Sequence, residues 1–128
     1  MLLQAEQTVL NNYRIPRSLK EKVDIIQKKK RMYRIGVVEE AIQTFLTDYD
    51  QGKIEISRQM IEEPKIQFIT ELPIQLNERL EKIIQHINHY VEQLPPPPKG
   101  TRKKKLTQTK LITQILEYWL QKEGNTHE

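Results

Sequence analysis

One pattern of residues occurs twice in this chain, and it restricts the possible folds more than any other feature. In each copy a short alternating stretch ends at a proline, and apolar residues follow 3, 7 and 10 positions later. These positions hold Leu19, Val23 and Ile26 in the first copy and Leu76, Leu80 and Ile83 in the second. The number of residues between matching positions of the two copies is constant up to this point, where Pro16 matches Pro73. It is larger in a final amphipathic stretch, where Ala41 matches Ile115. Because any single helical match is common but this order of elements is not, the repeat predicts two similar structural units.

Each copy begins with a stretch that predicts a β-strand, over residues 8–15 and 65–72. Alternation puts Val9, Asn11, Tyr13 and Ile15 on one face of the first strand, and Ile66, Phe68, Thr70 and Leu72 on one face of the second. A strand of about eight residues needs a hydrogen-bonding partner, and the chain contains two good candidates. We therefore expect one antiparallel ribbon. Its opposite, polar face carries Leu10, Asn12, Arg14, Gln67, Ile69 and Glu71.

Two helices are predicted after each strand. The second helix of the first unit is expected from about Ile35, and the first helix of the second unit is expected to reach Leu94, because Pro95–Pro98 cannot donate helical hydrogen bonds. Trp119 continues an apolar stripe with Ile112 and Ile115, so it is interpreted as a core residue. The expected fold is mainly α-helical with a short two-stranded antiparallel β-ribbon, arranged as a tandem pseudo-dimer.

The same pattern predicts how the chain is divided. The predicted parts are a first unit at 1–50, a linker at 51–64, a second unit at 65–123 with a Pro-rich loop at 95–105, and a tail at 124–128. The acidic connection at 47–64 is expected to contain one or two helical turns between Ile54 and Ile61, and to end at Pro64. This connection and the Pro-rich loop could each carry a partner site, and no physical reason favours one over the other.

Composition argues against several classes of function. The chain has no cysteine, which excludes disulfides and thiolate metal sites, and its four glycines form no phosphate-binding loop. His86 and His89 are three residues apart, but no third ligand has matching spacing, so they are interpreted as surface or packing residues. We expect a protein that is not an enzyme and has no metal or cofactor. Without a long apolar run or a signal-peptide pattern, a cytoplasmic location is predicted.

The placement of charge favours a polyanionic partner. The net charge is only +4, but basic residues are concentrated at Lys28–Arg31 and at Lys99 and Arg102–Lys105, directly before the second helix of each unit. Helix N-termini attract anions, so a cationic turn beside each one suits a phosphate backbone. The predicted phosphate contacts are Lys30, Arg31, Arg34, Lys104, Lys105, Thr107 and Thr109. Thr107 or Thr109 is also expected to cap its helix.

Two parts of the chain resemble the ribbon-helix-helix superfamily of the Arc and methionine repressors. The first is Ile15-Pro16 with Arg34–Leu46, and the second is Leu72-Pro73 with Leu106–Leu120. The resemblance covers about residues 8–46 and 65–120. Members of the superfamily usually dimerise to build the ribbon, so two units in tandem imply that one chain builds it alone. The resemblance also implies that the outward strand residues contact DNA bases.

Side-chain chemistry suggests which bases these would be. Asn12 and Gln67 suit adenine, Arg14 suits guanine, and Ile69 suits a thymine methyl group. Glu71 departs from the pattern, and either accepts from a cytosine or pairs with Arg14. Tyr33 and Ile35 also depart from the pattern, since small hydroxyl residues are common at these positions of the phosphate clamp. Because the strands differ, the two halves of the DNA site are not expected to be copies.

The sequence therefore predicts a sequence-specific binder of double-stranded DNA. A transcriptional repressor and an accessory protein at a plasmid transfer (conjugation) or replication origin fit about equally. The competing hypothesis is a helical protein-interaction module, similar to an antitoxin, with weak DNA affinity. A further protein partner, or self-association of chains on DNA, is also left open.

Overall fold

The computed structural model describes residues 7–59, 62–95 and 105–126, with the side chains of the last segment as far as Glu123. These parts form four helices and a two-stranded antiparallel sheet, so the predicted mainly α-helical class with one short ribbon is confirmed. The elements in chain order are β1 (Thr8–Pro16), α1 (Arg17–Lys30), α2 (Arg34–Asp50), β2 (Lys65–Pro73), α3 (Ile74–Glu92) and α4 (Gln108–Thr126). Within the described residues, no helix is long and apolar enough to cross a membrane.

The two strands pair along their whole length. Asn12 lies opposite Ile69 at the centre, and the ends pair Thr8 with Pro73 and Pro16 with Lys65. Asn12 and Ile69 each precede the proline of their strand by the same number of residues, so the centre of the ribbon falls on positions that correspond in the repeat.

Each strand changes into a helix at its proline. Proline has no N–H for a strand ladder, and its ring restricts φ to values that a following helix accepts. Pro16 and Pro73 have nearly the same conformation, with φ and ψ of −53° and 137° at the first and −53° and 135° at the second. The next backbone N–H donates across the ribbon in both cases, from Arg17 to Pro64 and from Ile74 to Gln7, each at 2.9 Å.

The core lies between the inner face of the ribbon and the helices. Trp119 is buried, which confirms its interpretation as a core residue. The side chains on the strands and the second helices that have no exposed surface at all are Ile15, Phe68, Leu72, Val37, Val38, Ala41, Ile42, Leu111, Ile112, Ile115 and Leu116. The apolar stripes predicted for the helices therefore face the core, as the helical period requires.

The connection after α2 differs from its prediction. Residues 53–59 form neither helix nor strand, so the helical turns expected from Ile54 are wrong for this part, while Met60 and Ile61 lie outside the described residues. Ile54 and Ile56 are half-buried and alternate with exposed neighbours, a period of two that suits extended backbone. The amide of Gln114 on α4 holds the segment, accepting from the Ser57 N–H at 2.7 Å and donating to the Ser57 carbonyl at 2.6 Å.

The contact between α2 and α4 contains a buried carboxylate that the sequence analysis did not single out. Asp48 accepts a hydrogen bond from the Tyr118 hydroxyl and forms an ion pair with Lys122 at 2.7 Å. Asp48 follows Phe45 as Lys122 follows Trp119, so these corresponding positions of the second helices carry opposite charges. This match in the repeat was the available signal for the pair.

Stability should depend on the ionisation of Asp48. Hydrogen bonds from Lys122 and Tyr118 hold the pKa of Asp48 below its ordinary value of 3.8. A lowered folded-state pKa stabilises the fold above the unfolded-state pKa, and this contribution is lost as the pH falls below 3.8. We expect Asp48→Asn to lower the urea midpoint at pH 7, with the difference from wild type shrinking in acid. Asp50→Asn, which removes only an exposed ion pair with Arg79, is the control and should change less. A difference for Asp48→Asn that is the same at every pH would contradict the ionic origin.

Candidate nucleic-acid interface

The outer face of the ribbon carries the six side chains predicted to contact bases. All six are exposed, and the two apolar ones are unusually so, with Leu10 70% and Ile69 50% exposed. The register arranges them as three cross-strand pairs, which are Leu10 with Glu71, Asn12 with Ile69, and Arg14 with Gln67. Because the inner face packs on the helices, the outer face is a polar two-stranded surface that no described element covers.

The register excludes one of the two alternatives for Glu71, the pairing with Arg14. Glu71 lies opposite Leu10, and Arg14 is four residues further along β1, about 13 Å away at the usual strand rise. The guanidinium of Arg14 instead donates to the Lys65 carbonyl oxygen at 3.3 Å. Pairing of Glu71 with Arg14 is therefore wrong. Arginine has five N–H donors, so this single bond leaves others for a ligand.

Two further cations lie at the Arg14 end of the ribbon, and the predicted set omitted them. Lys65 is the first residue of β2 and lies opposite Pro16, while Arg17 is the exposed first residue of α1. The alternation of β2 already puts Lys65 on the face of Gln67, and that was the available signal. Three cations therefore lie at this end of the ribbon, beside the carboxylate of Glu63, which accepts a hydrogen bond from Ser18 at 2.7 Å.

The N-termini of α2 and α4 both lie against the ribbon. The guanidinium of Arg34, the first residue of α2, is 4.4 Å from the centre of the Phe68 ring. Gln108, the first residue of α4, accepts a hydrogen bond from the Tyr13 hydroxyl at 2.8 Å. Burial raises the pKa of Tyr13 above its ordinary value of 10, so the hydroxyl remains a donor at neutral pH. Both helix dipoles therefore direct their positive ends toward the ribbon.

Two of the three predicted phosphate contacts of the first unit, Lys30 and Arg34, have intramolecular partners. Arg34 donates to Asp24 at 2.5 Å and to Gln27 at 2.8 Å. Lys30 bonds to Glu40 at 3.2 Å and to Glu123 at 3.0 Å, and its ammonium lies 5.6 Å from the Trp119 ring centre.

Arg31 differs from these two residues. It is exposed and ends α1 in the left-handed conformation, with φ of 55°. Of the three basic residues predicted for this clamp, the structure leaves Arg31 the most open to solvent. The N-terminus of α2 has no side-chain hydrogen bond from its cap residue, Tyr33.

The second unit arranges its predicted phosphate contacts differently. Lys105 is exposed in an ion pair with Glu92 at 3.0 Å, whereas Lys104 lies outside the described residues. Thr107 is exposed and Thr109 is half-buried at the start of α4. Asn88 on α3 fixes this start, because its side-chain amide bonds both the N–H and the carbonyl of Leu106.

Thr107 caps α4, as one of the two expected alternatives. Its hydroxyl accepts the Lys110 N–H at 3.2 Å. We expect Thr107→Ala to lower the free energy of unfolding by about 1 kcal/mol, because a helix N–H loses its partner. Thr107→Ser keeps the hydroxyl and should remain close to wild type in urea denaturation. If both variants lose the same stability, the cap bond is not the source.

No metal site accompanies this surface in the parts of the chain that the structure describes, where no three His, Cys, Asp or Glu side chains converge. His86 and His89 are exposed on α3, and His89 contacts the amide of Gln93 at 3.0 Å. Their interpretation as surface residues agrees with this exposure.

Comparison with family models, with characterised proteins and with solved structures found no match. The functional argument therefore depends on the residues and geometry described above.

Proposed function

We propose that this protein binds double-stranded DNA sequence-specifically by inserting its two-stranded ribbon into the major groove. The observation that carries the proposal is the outer face of the ribbon, where Asn12, Arg14 and Gln67 are exposed while most of the inner face is buried against the helices. These side chains match the hydrogen-bonding groups of adenine and guanine in the major groove. The groove is about 12 Å wide, and two strands about 4.8 Å apart fit within it.

The arrangement we propose is a pseudo-dimer of ribbon-helix-helix units within one chain. Corresponding hydrogen bonds close both ends of the ribbon, and corresponding prolines begin α1 and α3. The start of each second helix also bonds the corresponding acidic residue of the preceding helix, from Arg34 to Asp24 and from Gln108 to Glu81. Since the members of each pair occupy matching positions in the repeat, the contacts support a two-fold relation between the units.

Phosphate binding beside the groove would use the N-termini of α2 and α4. Both contact the ribbon, so they would lie near the DNA backbone when the ribbon enters the groove. First-turn N–H groups and the helix dipole favour an anion there. Arg31 and Lys105 are the exposed cations nearest these termini in sequence.

Two biological roles follow equally from this function. Sites over promoters would indicate a transcriptional regulator, and an array of sites beside a nicking site would indicate an accessory protein at a plasmid transfer or replication origin. In either role the protein acts in the cytoplasm, on nucleoid or plasmid DNA.

The test is selection from a pool of random duplexes, followed by sequencing, at two salt concentrations. We expect a short enriched motif and an affinity that falls steeply with salt, by about 0.9 logarithmic units per phosphate contact for each tenfold increase. No enrichment and no binding at low salt would overturn the proposal and favour the alternative of a helical protein-interaction module.

A further inference from the structure

The two ends of the ribbon present different chemistry to a ligand. At one end Arg14 and Gln67 lie opposite each other, with Lys65 beside them, and offer hydrogen-bond donors. At the other end Leu10 lies opposite Glu71, so that an apolar side chain and an acceptor replace the donors. The outer face is therefore polarised along its length.

The repeat makes this difference informative. Arg14 and Glu71 each lie two positions before the proline of their strand, so they correspond, and the antiparallel register puts them at opposite ends. Two identical units would put the same side chain at both ends and would read a palindrome. In this chain the cation Arg14 corresponds to the anion Glu71, and the apolar Leu10 corresponds to the amide Gln67. The register pairs the two strands about corresponding central positions, but the outer side chains at corresponding positions differ.

We propose that the protein reads a non-palindromic DNA site in one orientation, which rests on the DNA-binding function proposed above. The Arg14–Gln67 end lies over guanine and adenine edges, whose acceptors match its donors. The Leu10–Glu71 end lies over a thymine methyl group and a cytosine amino group. Binding in the reversed orientation would bring the Glu71 carboxylate to the acceptors of guanine. The carboxylate and the guanine acceptors would then both lack a hydrogen-bond donor.

The dimensions set the length of the site. Arg14 and Leu10 are four residues apart, which spans about 13 Å of strand. At a base-pair rise of about 3.4 Å this corresponds to roughly four base pairs. The orientation is therefore encoded in a core short enough to recover from a selected motif.

The experiment compares the motifs selected by the wild type and by a variant with a symmetrised ribbon, Gln67→Leu with Ile69→Asn and Glu71→Arg. These substitutions give the three predicted base-contact positions of β2 the residues of β1, and all three positions are exposed, so the core is unchanged. We expect a non-palindromic core for the wild type and a palindromic core for the variant. Glu71→Gln, which keeps the shape of the side chain, should relax base preference at one end of the wild-type motif only.

The outcomes separate this inference from the function on which it rests. A palindromic core for the wild type, or a loss of preference at both ends in Glu71→Gln, overturns the orientation while DNA binding stands. Absence of any DNA binding overturns the proposed function and the orientation with it. If the symmetrised variant does not fold, the wild-type motif and the Glu71→Gln motif still decide the question.

Discussion

Replacing Phe68 with alanine is expected to lower the free energy of unfolding by about 3–5 kcal/mol, a large part of the roughly 5–15 kcal/mol typical of a whole domain. Phe68 is completely buried on the inner face of β2, and the guanidinium of Arg34 lies over its ring. Truncation leaves a cavity between the ribbon and α2, which the rigid strand cannot close. Urea denaturation followed by circular dichroism measures the loss.

Ile69→Ala is the matched control for this prediction. Ile69 follows Phe68 directly but points to the outer face, where it is 50% exposed. Its truncation should change stability by no more than about 0.5 kcal/mol, while weakening preference for a thymine in the DNA site. Equal destabilisation by the two variants would show that the faces of β2 are assigned incorrectly.

Arg14→Ala is expected to reduce discrimination between specific and random DNA by about 1–3 kcal/mol, or roughly 5- to 150-fold. The guanidinium is exposed on the outer face with one bond to the ribbon backbone, so its removal costs base contacts rather than core packing. Dissociation constants for a selected duplex and a scrambled duplex, measured at the same salt concentration, provide the ratio.

Lys53→Ala removes the same charge at a distance from the ribbon and serves as the control. Lys53 is exposed beyond the C-terminal end of α2, about 25 Å along the helix axis from the N-terminus that contacts the ribbon. It should leave discrimination unchanged. If Arg14→Ala weakens binding to both duplexes equally, Arg14 contacts phosphate and the base-reading assignment fails.

Local features of the sequence determined much of this fold. Alternation over eight residues defined both strands and their faces, and Pro16 and Pro73 marked where strand becomes helix, because proline lacks the N–H that a ladder requires. The helical period identified the buried stripes and the position of Trp119. Each of these signals lies within a short window, where the period of the backbone decides which side chains share a face.

The tertiary structure alone decided the contacts between distant segments. A period of two identifies the faces of a strand but not its register, so only the paired ribbon separated Glu71 from Arg14. The partners of Lys30 and Arg34 come from α1, α2 and α4, and a count of basic residues could not identify them. Likewise, residues 53–59 form no helix, and Gln114 on α4 holds them through two hydrogen bonds to Ser57. Cross-strand partners, ion pairs and anchoring bonds join residues far apart in sequence, and local periodicity contains no information about such pairs.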